Sequence, residues 1–424
     1  MVRQLIAATL ALTLNVAVVA LHADAHSPSA TSPILHTTTL STVPQNVAVD
    51  PLLARAFVTS VHDYDVVNAA PPLTGMVTTL DTRTGAILRT LSMRPLPDLV
   101  AVDTLHARVF VTQFGGPVVG NYLSILDATT GVVVHKLALP VVASSLDVDQ
   151  SAGLVIIAGI AQGPTALATS TELVVIDARY GRILGAAALT ERLVRRQVGI
   201  DETAHHLFEG TLSSGTMRMF DERTARLLRV INFHERDGVL SEVSVDATRH
   251  RLFVVHAAFG EYPATLSALD TRTGRVIMTR PVTASPVNAL LSSDPASGHL
   301  FIITGGDPGR VLMFSEQTGV LLRTSAIGVN PGNAVVDAVV SRVFVLNTGP
   351  QTYNTSTSGL QAIGVSSVSV IDSRNGNVLG STMISPHTRL FGATYPLGVD
   401  NRHARIVVID AGNRTVNVLN AAAF

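Results

Sequence analysis

The most polar short stretch of the sequence is His62-Asp63-Tyr64-Asp65, in which two carboxylates alternate with ring side chains. Carboxylate oxygens are ligands that Ca²⁺ prefers, so the stretch is a candidate cation-binding loop. It lacks the glycine and the distal glutamate of a full calcium loop. A loop whose polar side chains are simply solvated is the other interpretation, and we predict no metal here.

Two further groups of residues have types suited to ligand chemistry. His256, Glu261 and Tyr262 lie close together in sequence, and a histidine–glutamate pair can act as acid and base in a lyase. His387 and Arg389 form a cationic pair that suits an anionic ligand. Exposed loops also contain such residues by chance, so these are predicted ligand-binding candidates and no catalytic residue is assigned.

Tyr353 and the adjacent His205 and His206 also have side chains of types that bind ligands or metals. Tyr353 lies in a long polar segment and is a further ligand-binding candidate. His205 and His206 are adjacent, but a metal site needs more ligands than this stretch supplies. The sequence therefore predicts no metal ligand among its histidines.

The composition excludes several kinds of function. The 424 residues include no cysteine and no tryptophan, which removes disulfides, thiolate nucleophiles, Cys-ligated zinc and C-x-x-C-H haem attachment. The formal net charge is −1 and no segment interleaves basic with aromatic residues, so no nucleic-acid partner is expected. The sequence contains no G-x-S-x-G, phosphate loop or H-E-x-x-H, and we expect no cofactor.

The first 25 residues have the pattern of a secretory signal peptide. Arg3 precedes an apolar run, Leu5 to Leu21, and Ala23-Asp24-Ala25 forms a small-x-small cleavage site. An uncleaved membrane anchor is the alternative, and Asn15 within the run favours cleavage. We expect residues 1–25 to be removed, 26–33 to form a short linker and the mature protein to be secreted or extracytoplasmic, without a stable membrane span.

Residues 34–424 are built from one repeated unit of about 50 residues. Its first element is an apolar strand that ends in Asp, a short turn and a second apolar strand, as in VAVDPLLARAFVT at 47–59 and VSVDATRHRLFVV at 243–255. Its second element is a strand pair joined by a turn such as DTRTG at 81–85, whose Asp and Gly suit a tight hairpin. Each unit thus contains four strands, named a to d.

Eight such units predict an all-β protein, a β-propeller of eight four-stranded blades, with seven as the alternative. The eighth unit ends at Phe424 without a strand d, whereas ILHTTTLST at 34–42 resembles a strand d with nothing before it. We therefore expect the N-terminal strand to complete the last blade and close the ring.

The repeat resembles the YVTN-type β-propeller repeat of bacterial and archaeal extracytoplasmic proteins, a WD40-like repeat. The matching segments are VPQNVAVDPLLARAFVTS at 43–60 and SSVSVIDSRNGNVLGST at 366–382. The resemblance implies a propeller that is secreted or displayed at the cell surface, and it transfers no catalytic residue.

The lengths of the connections indicate where function lies. In a four-stranded blade the a–b and c–d turns lie on one face of the ring, and the b–c and d–a connections lie on the other. The b–c segments vary most, with the longest at 60–75 and 347–366. Variable insertions on one face of a rigid scaffold usually carry binding. We expect a monomeric scaffold that binds an unknown protein or small molecule there, or alternatively a hydrolase, lactonase or lyase at the channel mouth.

Overall fold

Each repeat of the sequence forms one four-stranded antiparallel sheet. The structure, a computed structural model, describes residues 32–62, 74–161, 171–189, 198–210, 215–233, 238–258, 264–282, 289–354, 359–362, 366–385 and 396–424. Within these residues eight such sheets are arranged around an axis. The prediction of an eight-bladed β-propeller is confirmed, and residues 33–424 form one unit.

Blades 1 to 4 follow the order of the chain, after an N-terminal strand β1 (Ile34–Thr39). Blade 1 comprises β2 (Val43–Asp50), β3 (Arg55–Val61), β4 (Gly75–Asp81) and β5 (Ile87–Met93). Blade 2 comprises β6 (Leu96–Asp103), β7 (Arg108–Phe114), β8 (Asn121–Asp127) and β9 (Val133–Leu139). Blade 3 comprises β10 (Val141–Asp149), β11 (Leu154–Ala161), β12 (Thr171–Asp177) and β13 (Arg182–Leu189). Blade 4 comprises β14 (Val198–Asp201), β15 (His206–Gly210), β16 (Thr216–Asp221) and β17 (Leu227–Asn232).

Blades 5 to 8 repeat this plan. Blade 5 comprises β18 (Gly238–Asp246), β19 (Arg251–Ala258), β20 (Ala264–Asp270) and β21 (Arg275–Val282). Blade 6 comprises β22 (Leu290–Asp294), β23 (His299–Thr304), β24 (Gly309–Ser315) and β25 (Leu321–Ile327). Blade 7 comprises β26 (Pro331–Asp337), β27 (Arg342–Asn347), β30 (Ser366–Asp372) and β31 (Val378–Ser385), and a separate hairpin, β28 (Gln351–Asn354) and β29 (Gly359–Ala362), lies between β27 and β30. Blade 8 comprises β32 (Leu397–Asp400), β33 (Arg405–Asp410), β34 (Thr415–Asn420) and β1.

The N-terminal strand closes the ring, as the sequence predicts. Strand β1 pairs antiparallel with β34, and Thr37 lies opposite Asn417. The Thr37 hydroxyl donates a hydrogen bond of 2.8 Å to Oδ1 of Asn417, and the Asn420 N–H donates one of 2.8 Å to the Pro33 carbonyl. Blade 8 therefore has its outer strand, and β34 is not left as the edge of the sheet.

The core lies between the blades, because each sheet is covered on both faces by its neighbours. Strand b carries the largest share: the phenylalanine of the R-x-F-V motif is fully buried in blades 1, 2, 5 and 7, as Phe57, Phe110, Phe253 and Phe344. Strand d is mostly exposed and forms the outer rim. Among the described residues, no helix is long and apolar enough to cross a membrane.

Candidate functional site

The two faces of the ring are built differently. We call the face with the a–b and c–d turns the turn face, and the face with the b–c and d–a connections the loop face. In all eight a–b turns the terminal Asp of strand a accepts, through Oδ1, the backbone N–H three residues later. The last residue of each of these turns has a positive φ. This uniformity explains the repeated aspartates as turn-forming residues.

The loop face departs from the repeat in the parts that the structure describes. Blade 7 inserts the hairpin β28–β29, and blade 2 inserts a single helical turn, α1 (Gly116–Val119). Blade 8, by contrast, joins strands b and c through four residues, 411–414. The b–c connections therefore differ in both length and conformation, whereas the a–b turns do not.

Three of the predicted ligand-binding residues lie among the described residues, all near the loop face. His62 follows strand β3 in blade 1 and is exposed. Tyr353 lies in β28 of the inserted hairpin. His256 lies within strand β19 of blade 5, separated from blade 1 by three blades in either direction around the ring. The structure therefore places His62 and His256 in separate blades rather than in one site.

The other predicted ligand-binding residues lie outside the described residues. They are Asp63, Tyr64, Asp65, Glu261, Tyr262, His387 and Arg389.

His256 is buried, with 1% of its surface exposed. Its ring packs against Phe233 at a centroid distance of 4.2 Å, and neither ring nitrogen has a hydrogen-bond partner among the described residues. Burial lowers the pKa of His256 to about 4, so the ring is neutral at neutral pH. A buried neutral imidazole suits core packing better than contact with a ligand from solvent.

Asp98 is a second titratable group near the loop face. It was not among the ligand-binding residues predicted from the sequence. It lies in strand β6, and burial raises its pKa to about 6. The cavity beside it, lined by Thr112, Gln113 and Asn121, measures about 10 Å³. This is room for one water at most, so Asp98 does not face a ligand pocket.

On the turn face, the terminal Asp of one blade meets the second residue of the c–d turn of the next blade. The hydroxyl of Thr82 in blade 1 donates to Oδ2 of Asp400 in blade 8, and that of Thr271 in blade 5 donates to Oδ2 of Asp201 in blade 4. These four residues are fully buried. Each threonine therefore satisfies an aspartate that points between two blades.

Two blades have a glutamate in place of that threonine. In blade 6, Glu316 meets Arg249, which also pairs with Asp246 of blade 5 at 2.8 Å, so a cation lies between the two carboxylates. In blade 4, Glu222 meets Asp149 of blade 3, and the third member of the cluster is His205, whose Nδ1 lies 3.1 Å from Oε2 of Glu222.

The Asp149–His205–Glu222 cluster contains two buried carboxyl groups, and no arginine or lysine forms an ion pair with either of them among the described residues. Among the described residues, no group outside the pair donates to Asp149 Oδ2 or Glu222 Oε1, and the two carboxyl groups form a hydrogen bond with each other. Burial and the adjacent Asp149 carboxyl raise the pKa of Glu222 to about 9. Burial and the charges of Asp149 and Asp201 also raise the pKa of the neighbouring Glu202. Three acidic side chains, Asp149, Glu202 and Glu222, therefore lie close together on the turn face, and their proximity favours the protonated form of the two glutamates.

Sequence reasoning missed this cluster because its members come from three turns in two blades. The stretch around His205 supplies too few ligands by itself, and the fold adds Asp149 and Glu222. One signal was available: the turn DERTA at 221–225 has Glu222 where DTRTG at 81–85 and 270–274 has Thr82 and Thr271.

A cavity of about 400 Å³ lies near the turns, between blades 2 and 3. Its charged lining is largely paired within the protein: Arg108 contacts Asp127 at 3.2 Å and His106 contacts Asp103 at 2.7 Å. Tyr180 and Arg179 form its outer wall and contact one another. The cavity is open and offers a ligand few unpaired groups.

Comparisons with known proteins agree with the architecture. No family model matches the chain, and no curated protein matches it. Among solved structures, BamB from Moraxella catarrhalis superposes with a TM-score of 0.60 at 16% identity, over 91% of this chain and 99% of that one. Sqt1 from Saccharomyces cerevisiae gives a TM-score of 0.65 at 9% identity over 91% and 98%, and the Dos1 propeller 0.58 at 14% over 91% and 94%. At these identities the likeness shows the fold alone, and that fold is the β-propeller.

Proposed function

We propose that the protein is a non-enzymatic, extracytoplasmic scaffold that binds a protein or small ligand on its loop face. The observation that carries the proposal is the contrast between the two faces. All eight a–b turns follow one pattern, whereas the b–c connections range from a four-residue turn in blade 8 to an inserted hairpin in blade 7. A rigid ring with variable loops on one face is a common arrangement for recognition.

The enzyme alternative requires a histidine and a carboxylate within hydrogen-bond reach at the channel mouth. Among the described loop-face residues, His256 is buried without a polar partner, and Asp98 borders a cavity too small for a substrate. These two observations favour binding over hydrolysis or elimination as the function of the loop face.

A test of the scaffold function uses the tight turn of blade 8 as a replacement for the longest loops. Residues 411–414 (Ala-Gly-Asn-Arg) connect strands b and c there, so the same four residues are grafted in place of 62–74 and of 348–365. The matched control changes the turn face, by Arg83→Ala and Arg272→Ala, whose side chains are mostly exposed.

The readout is cross-linking to proteins of the extracytoplasmic fraction, with circular dichroism to check the fold. We expect the grafted protein to keep the β-sheet spectrum and lose its cross-linked partners, while the turn-face control keeps them. Equal cross-linking by the grafted protein and the wild type would remove the loop face as the binding surface.

Export, the YVTN relationship and the monomeric state belong to the same proposal. The pattern of residues 1–25 supports export, and the repeat at 43–60 and 366–382 supports the relationship. N-terminal sequencing of the protein from its own cells should find His26 as the first residue. Light scattering should give the mass of one mature chain.

A further inference from the structure

The Asp149–His205–Glu222 cluster brings three potential metal ligands together between blades 3 and 4. One ligand atom from each side chain lies within 4.8 Å of the other two. Ligands held about 2.0–2.2 Å from a tetrahedral zinc lie roughly 3.4 Å apart, so small side-chain rotations bring the three into range. His205 has most of its side chain in solvent and is free to make such a rotation.

An independent feature of the cluster also points to a cation. Asp149 and Glu222 are 0% and 1% exposed, and among the described residues Asp149 Oδ2 and Glu222 Oε1 receive no donor from outside this pair of carboxyl groups. Buried carboxylates are normally hydrogen-bonded, paired with a cation or bound to a metal. Two buried carboxyl groups in contact, both of them acceptors when ionised, would be satisfied together by a divalent ion.

Blades 2, 3 and 8 have an alanine at the position of Glu222 and blade 7 has Ser373, whereas blades 1, 5 and 6 show how a larger polar side chain is satisfied there. Thr82 and Thr271 donate a hydroxyl to the preceding aspartate, and Glu316 has Arg249 beside it. Glu222 has neither arrangement: Arg223, although near, forms no ion pair with either carboxylate in the part of the chain that the structure describes. The histidine at position 205 supplies a metal-ligating nitrogen instead.

We propose that Asp149, His205 and Glu222 form a binding site for a divalent transition ion of the zinc class, which fastens blade 3 to blade 4. One imidazole nitrogen and two carboxylate oxygens suit zinc, cobalt or manganese better than Ca²⁺, which prefers six or more oxygen ligands. Water would complete the coordination from the exposed side of His205. The ion would neutralise the buried carboxylates and add a link between two blades.

The test compares zinc binding by the mature protein and by variants that the repeat shows to be compatible with the fold. Glu222→Thr introduces the residue of blades 1 and 5, and His205→Ala introduces the residue found at the equivalent turn position, Ala54 or Ala107, in blades 1 and 2. Glu316→Thr is the matched control, because it makes the same change where an arginine already neutralises the carboxylate.

Each protein is dialysed against a chelator and titrated with ZnCl₂ and, separately, CaCl₂ by calorimetry, and thermal unfolding is recorded with and without zinc. We expect the wild type and Glu316→Thr to bind one zinc that Glu222→Thr and His205→Ala bind at least about tenfold more weakly. Zinc should raise the unfolding temperature of the first two proteins only, because a ligand of the folded state stabilises it.

Zinc affinity unchanged by Glu222→Thr and His205→Ala would overturn the proposal. So would the absence of any zinc-dependent stabilisation of the wild type, since the two carboxyl groups then merely share a proton. The turn-face site is tested without reference to the loop face, so its failure and the failure of the scaffold function are distinguishable.

Discussion

The hydroxyl of Thr82 donates a hydrogen bond to Oδ2 of Asp400, and these two residues are 318 positions apart in the chain. The contact joins blade 1 to blade 8, where the ring closes. It complements the pairing of β1 with β34, which closes the same ring through the outer strand of blade 8. Thr271 and Asp201 form the same bond between blades 5 and 4, so the closing contact is one copy of an inter-blade link.

Replacing Thr82 by valine should weaken this closure. Thr82→Val keeps the size of the side chain but leaves a buried carboxylate oxygen of Asp400 without its donor from blade 1. The loss of such a bond costs about 1–3 kcal/mol of unfolding free energy. Urea unfolding followed by circular dichroism measures the loss, and Thr82→Ser, which keeps the hydroxyl, should recover most of it. An equal loss in both variants would assign the effect to packing.

Removing strand β1 should destabilise the whole ring. A mature chain without residues 34–42 loses the pairing with β34 and leaves that strand as an open edge. Backbone hydrogen bonds contribute about 1 kcal/mol each, so we expect more than about 3 kcal/mol of lost stability together with aggregation. Adding a peptide of residues 34–42 in trans should restore part of the unfolding temperature. A truncated chain as stable as the full mature chain would contradict closure by β1.

The sequence predicted the blades but not the contacts between them. Asp50 and Gly85 mark their turns through local chemistry, because a short side chain accepts backbone N–H groups and a glycine allows a positive φ. Such signals lie within a few residues of one another and repeat, so they can be read directly. The closing role of β1 followed from counting strands in the last repeat.

Contacts between blades join turns that are far apart in the chain, so no local sequence pattern predicts them. The first residue of strand b illustrates this: the Arg55 guanidinium donates to the Ala128 carbonyl, and the ring of His206 bonds to the Thr271 carbonyl, each in the next blade. In the sequence, His206 is notable only because it is adjacent to His205, and no role could be assigned to it. The side chains at 205 and 206 proved to have different roles, one in the acidic cluster and one in an inter-blade bond.

Replacing the terminal aspartate of strand a by asparagine should change the unfolding free energy by different amounts in different blades. Asp201 accepts bonds from Thr203, Ala204 and Thr271, and although burial acts to raise its pKa, these bonds hold the pKa below its usual value. Asp50 has no partner for Oδ2 among the described residues, and burial raises its pKa. We expect Asp201→Asn to cost about 1–2 kcal/mol at pH 7 and Asp50→Asn to cost little or to stabilise.

The pH dependence of this pair of variants provides the check. A carboxyl group whose pKa is lowered by folding contributes stability above its unfolded pKa of about 3.9, and that contribution disappears as the pH falls through the folded value. The loss of unfolding free energy caused by Asp201→Asn, measured by urea unfolding, should therefore become smaller below about pH 4. A deficit that is constant with pH would show that the amide disturbs the turn and that the charge is unimportant.

His256 should make the protein less stable as the pH falls. Its folded pKa of about 4 lies below the unfolded value of about 6.5, so the unfolded chain binds a proton that the folded chain does not. Between these two values the contribution of His256 to the unfolding free energy should decrease with falling pH, by up to about 3 kcal/mol, while the raised pKa of Asp98 acts in the opposite direction. The unfolding free energy of His256→Leu relative to the wild type should therefore increase as the pH falls from about 6.5 to 4. A His256→Leu profile as steep as that of the wild type would show that His256 is hydrogen-bonded in the folded protein or accessible to solvent.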